Sequence, residues 1–304
     1  HAHSRHDQVL QRKATLGLMS FVLAPHETPG VGLTRVIQEQ VAKLSIECLD
    51  AAQDTSAFAH KARVRCKRVR AVLRLAKPMM GAKAYRKDNI WWRDQSRLLS
   101  ELRDASARIE ALETLRPFLA ARIGSAMTRK LGERFEQERQ SVEAGDAVTQ
   151  FVAAMNKRSE KLIPDLPTGS RADMTEALGE TYKLARTAMK HALKDEEPEL
   201  LHEWRKQAKY HALQARLMRM HFPDVLDQRV AGVRDLAGLL GEVQDIEVVS
   251  EGVKGWRDGP KGLAGVLEAR RKSLITGARA TGAALFSEKP KAWASQLTPP
   301  VLAE

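Results

Sequence analysis

Residues 58–77 run Phe58-Ala59-His60-Lys61-Ala62-Arg63-Val64-Arg65-Cys66-Lys67-Arg68-Val69-Arg70-Ala71-Val72-Leu73-Arg74-Leu75-Ala76-Lys77. No Gly or Pro interrupts the stretch, and Ala, Leu, Arg and Lys dominate it, so it predicts one helix. His60, Arg63, Lys67 and Arg74 stand at offsets 0, +3, +7 and +14. At about 100° per residue they share an arc of roughly 60°, with Arg70 about 20° outside it. Like charges at this spacing repel one another by a few tenths of a kcal/mol per pair, roughly, so a stripe of this kind calls for an anion that neutralises it.

The pattern recurs. His202, Arg205, Lys209 and Arg216 repeat the same offsets 142 residues later, with Lys206 beside them. A second match lies further along: Trp92–Asp104 aligns with Val233–Asp245 at a shift of 141, sharing Arg, Asp, two Leu, Glu and a final Asp. Two matches at nearly one period predict an internal duplication. A third, shorter ladder, Lys183, Arg186 and Lys190, has offsets 0, +3 and +7.

A chain of 304 residues, 43% hydrophobic and 29% charged, has the composition of a folded protein long enough for two halves. Its net charge of +12 points to a polyanionic partner: polyphosphate, nucleic acid or an anionic surface. Aromatic residues make up only 5%, few for base-stacking platforms. Cys48 and Cys66 are too few for a disulfide framework. No apolar run reaches membrane-spanning length, so no membrane partner is expected. Residues 13–24 resemble a signal core only faintly, because Gly17 and Ser20 interrupt them, and a non-secreted, cytoplasmic chain is expected.

In chain order, residues 1–30 read as irregular, with His1, His3 and His6 on a flexible terminus. A helix is expected over 34–52 with Thr34 as its N-cap, then the striped helix to Pro78, then a long helix over 85–115 broken by Pro117. Two or three helical segments fill 118–163. Pro164 and Pro167–Ser170 mark the boundary between a first repeat, 31–165, and a second, 166–304. Helices follow over 173–193, from Pro198 to Phe222, over 224–253 and within 261–297. No segment alternates like a strand. The expected fold is all-α: two bundles of about four helices related by a pseudo-twofold.

The His60–Arg74 helix resembles the signature helix of CHAD domains, the conserved-histidine α-helical domains, and the Leu99–Asp104 element and the His202–Lys209 copy are similar to further parts of that family. The likeness covers roughly residues 30–300. It implies two helical repeats, binding of inorganic polyphosphate through a basic channel, association with polyphosphate granules, and no catalysis or cofactor. The expected binding set is His60, Arg63, Lys67, Arg70, Arg74, His202, Arg205, Lys206, Lys209 and Arg216, with Lys183, Arg186 and Lys190 behind them. Free phosphate or sulfate ions suit the same groove. Tyr210 and Ala212 depart from the family, standing where it often has basic residues, so the second half is expected to grip less tightly. The chain has no Glu-x-Glu-x-Lys element of the triphosphatase domain that some members carry.

The residue types fit this chemistry. Arg offers a planar fork of donors, Lys a compact charge, and His a donor that charges near neutrality. Nucleic-acid binding through the same cations is the competing reading, and an enzyme acting on polyphosphate or nucleotides is a third. The latter needs a carboxylate cluster for metal or a phosphate-cradling glycine loop, and the sequence has neither. Arg63 and Arg205 also have candidate internal partners in Asp104 and Asp245, and Asp94 and Asp235 read as further arginine partners. His191, His211 and His221 read as incidental, and Trp91, Trp92, Trp204 and Trp293 as packing residues.

Overall fold

The computed structural model describes residues 21–140, 146–158, 161–164, 166–256 and 262–297; Glu101 and Arg103–Ala105 are described by their backbone. The described chain is helical, with no strand. In order the helices are α1 (Pro29–Leu49), α2 (Thr55–Leu75), α3 (Lys77–Met80), α4 (Ala82–Leu98), α5 (Ser100–Ile123), α6 (Ser125–Gln140), α7 (Ala147–Lys157), α8 (Arg171–Asp195), α9 (Pro198–Met218), α10 (Pro223–Gly252), α11 (Leu263–Leu285) and α12 (Pro290–Ser295).

The helix that carries the first stripe begins where its sequence allows. The Asp54 carboxylate accepts a 2.9 Å bond from the Ala57 amide, satisfying one of the open donors of α2. Ser170 and Asp173 form a reciprocal capping box at the start of α8. Pro198 opens α9, the second striped helix, in the first turn, where a missing N–H costs nothing.

Three expectations are corrected. Thr34 is not a cap: α1 starts at Pro29, with Thr34 inside it, because Pro29 fits the first turn. The segment before α1 is not loose throughout. Phe21, Leu23 and Ala24 are buried, and the Leu23 amide donates to the Leu217 carbonyl at 2.8 Å, tying the segment to the end of α9. The His1, His3 and His6 reading lies outside the described residues. Third, the long helix after the stripe breaks at Leu99 and passes through Pro117. Pro117 is exposed, so the carbonyl its ring deprives of a partner faces water, while Leu112, Leu115 and Leu119 hold the helix to the core on the other side.

The buried side chains form one contiguous apolar core that draws on both halves of the chain, from Leu33 and Val72 to Trp204 and Leu240. Each large side chain sealed in it contributes about 1.5–3 kcal/mol by removal from water. The 166–170 connection packs directly on α1: the Gly30 amide donates to the Thr168 carbonyl at 2.9 Å. A Cβ on Gly30 would sit 2.3 Å from the Pro167 carbonyl oxygen, so only glycine permits this approach.

The two striped helices meet near their C-terminal ends. Ala71 and Leu75 of α2 are buried, as are Tyr210, Gln214 and Leu217 of α9. The Gln214 amide donates to the Ala71 carbonyl at 3.2 Å and its oxygen accepts from Thr181 Oγ1 at 2.9 Å, so a buried amide locks α2, α8 and α9 together. Ala71 lies about 20° from the His60 direction, just beyond the edge of the cationic arc. Its burial shows that the arc of α2 runs into α9.

Candidate functional site: a cationic trough between two striped helices

Lys67 is the centre of the site. Its side chain is exposed, yet protein crowds it from both helices, so it stands in a recess open to water. Lys209 and Arg205 face it from α9, Arg63 and Arg70 from its own helix. Desolvation, then repulsion by Lys209, Arg205, Arg63 and Arg70, pushes the ammonium down to about 7 from 10.5. Among the described residues no carboxylate or hydrogen-bond acceptor is paired with it. The middle of the first stripe and the start of the second thus converge on one locus.

Two arginines of this locus are anchored from behind. Arg63 Nη1 donates to the Ser96 carbonyl at 2.7 Å and to Ser100 Oγ at 2.9 Å, where α4 gives way to α5. Arg205 Nη1 donates to Gln244 Oε1 at 2.8 Å on α10. A Cβ on Gly241 would meet an Arg205 Nη at 3.4 Å, an ordinary contact, so the guanidinium lies close against α10 there. The expected Arg63–Asp104 pairing lies outside the described residues. These contacts orient both guanidiniums from the side away from Lys67.

Further along α2, Arg70 and Arg74 pack on the buried ring of Tyr210 from α9, at 5.8 and 4.0 Å from its centre. Arg70 Nε also donates to Asn89 Oδ1 at 3.0 Å on α4. Burial lowers Arg70 from its usual value. Arg74 is half-buried, and its Nε has no hydrogen-bond partner among the described residues. Arg216 lies near Arg68, whose guanidinium rests over Phe21 at 5.5 Å. Arg68 is the residue that sequence reasoning missed: it stands about 80° from the His60 direction, outside the stripe, and no periodicity marks it. Arg93 joins from α4, near Arg70 and bonded to Asp94 at 2.8 Å, where Asp94 also meets Arg97 at 3.9 Å. Arg234 and Asp235 are 4.0 Å apart.

The two histidines are exposed, not core residues, and sit at the outer ends of the stripes. His60 lines a depression between α2, α5 and α6 with Glu110, Glu136 and Arg139. His202 lines another between α9 and α10 with Glu199, Glu247 and Glu251. Burial lowers His202, a bond with Gln244 opposing it. Lys206 bonds to Glu203. The third ladder does not assemble as a ladder. Lys183 pairs with Glu180 at 3.4 Å, Arg186 Nε donates to the Phe286 carbonyl at 2.9 Å beyond α11, and Lys190 is exposed. Arg186 therefore fastens α8 to the α11–α12 connection. Arg271 bonds to Glu247 and to the Glu196 carbonyl, a similar fastening.

His211 is the core histidine. It is fully buried, with Nδ1 3.2 Å from Thr181 Oγ1, beside Tyr182, Phe286 and Trp293. Trp92, Trp204 and Trp293 are buried packing residues. Among the described residues no group of three His, Cys, Asp or Glu is placed to hold a metal ion, and no helix is long and apolar enough to cross a membrane.

The geometry defines a class: an all-helical scaffold that gathers cations from two helices around one lysine. A family model, CHAD domain, matches residues 35–253, which include both stripes and the helices that anchor them. No curated protein matches the chain. The chain belongs to the CHAD domain family.

Proposed function

We propose that this protein binds inorganic polyphosphate in the trough between α2 and α9, as a holding site that performs no chemical step. The observation that carries this reading is Lys67, an ammonium with no partner among the described residues, facing Lys209, Arg205, Arg63 and Arg70. Such a cluster is unfavourable empty and is relieved by a ligand with negative charge on every unit. Charge-assisted hydrogen bonds contribute about 1.5–3 kcal/mol each, less where water screens them, so a chain spanning several cations binds more tightly than single phosphates. Membership of the family, whose members the sequence resemblance links to polyphosphate and its granules, supports the same reading.

The reading extends to architecture: the two halves are copies of one unit. Support comes from equivalent places. Arg63 rests against Ser100 and Arg205 against Gly241, positions 141 residues apart, and His60 and His202 line matching depressions. It extends also to location, at polyphosphate granules inside the cell.

A titration with polyphosphates of defined length at two salt concentrations tests the binding. Affinity rises with length and falls with salt. Competition separates polyphosphate from a nucleic-acid backbone. The aromatic ring in the trough, Tyr210, is buried under Arg74, which leaves no face on which a base could stack. If long polyphosphate fails to displace an oligonucleotide at equal phosphate concentration, the nucleic-acid reading replaces this one. Release of phosphate on incubation with Mg²⁺ or Mn²⁺ would overturn the non-catalytic part.

A further inference from the structure

We infer that Lys67 is an acyl-acceptor site for acyl phosphates, with the cations around it holding the leaving phosphate. The observation is the combination of three properties in one side chain. Lys67 is open to solvent. It has no ion pair or hydrogen bond among the described residues. It faces positive groups from both helices: Arg63 and Arg70 on α2, Lys209 and Arg205 on α9, with the Arg93–Asp94 pair of α4 beyond Arg70 and Gln244 of α10 behind Arg205. An ammonium so placed sheds its proton more easily than a solvated lysine, and the neutral amine is the nucleophile.

Desolvation first, and then the surrounding charge, free the amine, and that same charge suits the reagent. An acyl phosphate carries its carbonyl next to an anionic phosphate. Held by the guanidiniums, that phosphate brings the carbonyl carbon to Lys67 Nζ. The amine attacks that carbon. The bond from carbon to the bridging phosphate oxygen breaks, and the proton displaced from nitrogen ends on that oxygen, so the leaving group departs as hydrogen phosphate. The product amide is uncharged, so the trough keeps one cation fewer. No oxidant or further reactant enters.

The expected excess follows from protonation. With Lys67 at about 7, roughly half the side chain is neutral at pH 7, against about one part in a few thousand for an ordinary lysine near 10.4. Lower basicity makes each neutral amine less reactive, offsetting about half of that advantage on a logarithmic scale. A net excess of about tenfold or more remains.

The test treats the full chain with acetyl phosphate at pH 7.5 and follows acetylation of each lysine by peptide mass spectrometry. Lys254 and Lys272, 74% and 73% exposed, are the internal references. Acetic anhydride, which has no phosphate to hold, is the comparison reagent. Lys67 is expected to react at least about tenfold faster than both references with acetyl phosphate. This preference is expected to be larger than with the anhydride and to fall when inorganic phosphate is added. Lys209→Gln is expected to slow labelling at Lys67 and leave the references unchanged, and Lys67→Arg to remove the label. Labelling of Lys67 no faster than the references overturns the inference. So does equal preference with both reagents, because the phosphate would then have no role.

Discussion

The Arg74 guanidinium lies 4.0 Å from the centre of the Tyr210 ring, and Arg70 approaches the same ring at 5.8 Å. The family resemblance leads one to expect a basic residue at this position, so a tyrosine there reads from the sequence as a lost grip. In the fold it is a seat for two cations of the opposite helix. A desolvated cation–π contact is worth about 0.5–2 kcal/mol. Tyr210→Phe keeps the ring and is expected to leave polyphosphate affinity within about twofold. Tyr210→Leu keeps apolar volume but loses the ring, and is expected to weaken binding by about two- to thirtyfold. Tyr210→Ala adds a cavity cost of about 3 kcal/mol to folding stability. Calorimetric titration of the three variants, alongside thermal melts, checks the order.

Lys67 makes binding pH-dependent, and the sign follows from its displaced proton. Its folded value of about 7 is below the ordinary 10.5. Between these pH values the unfolded chain holds the proton and the empty folded protein does not, so this group's contribution to stability rises with pH across that window. The penalty is fully present below about 7, where both states are charged. A bound polyanion reverses the preference and draws the proton back. Polyphosphate binding at pH 8 is therefore expected to take up close to one proton, and affinity to strengthen as pH falls from 8.5 to 6.5. Titrations in two buffers of different ionisation heat measure the uptake. Lys67→Met is expected to abolish it, and a variant that still takes up the same proton would assign it elsewhere.

Much of the fold was legible because helical spacing and breakers act locally. Pro198, Pro223 and the 166–170 connection fall where composition placed them. The arc shared by Arg63, Lys67 and Arg74 was equally plain. What one arc meets is a tertiary matter. Ala71 lies at the edge of the cationic arc and is buried all the same, because α9 packs there. Arg186 matched the ladder spacing and turned to the Phe286 carbonyl, because the α11–α12 connection offers it acceptors. Arg68 belongs near Arg216 with no periodic mark, and His211, read as incidental, became the buried one. Pro117 read as a breaker, but a helix tolerates proline on its wet side when its other side is anchored.

His211 sets an acid limit on stability. Burial holds it well below the usual imidazole value, and nearby Arg229 adds to this. Its Nε2 is buried with no partner among the described residues. Below about 6.5 the unfolded chain gains a proton that the folded chain refuses, so stability falls as pH falls, by up to about 1.4 kcal/mol per unit for this one group. His221 and His202 are also lowered by burial and add to the slope. His211→Gln cannot charge, so its stability is expected to depend less steeply on pH between 6.5 and 4.5 than that of the parent chain. Urea unfolding at three pH values in that range supplies the comparison. Parallel slopes would show that His211 is not the group responsible.

The site reading stands or falls on whether position within the trough matters more than charge alone. Arg139 looks like a neutral control from its place in the sequence, but it lines the His60 depression and bonds to Glu136. Arg129 is the better control: it is 68% exposed and pairs with Glu133 on the same helix at 2.7 Å. Arg63→Ala with Lys67→Ala removes two cations from the centre. At about 1.5–3 kcal/mol for each charge-assisted contact, reduced by screening, the pair is expected to lower polyphosphate affinity by about ten- to a thousandfold. The slope of log affinity against log salt is expected to shrink by about two, as two fewer counterions are exchanged. Arg129→Ala removes one charge of the same sign and is expected to change affinity by less than about twofold. Arg63 also braces the α4–α5 junction through Ser96 and Ser100, so Lys67→Ala alone, which breaks no internal bond among the described residues, separates ligand contact from scaffold damage. Equal losses at Arg129 and Lys67 would mean that overall charge, and not the meeting of α2 with α9, attracts the polyanion.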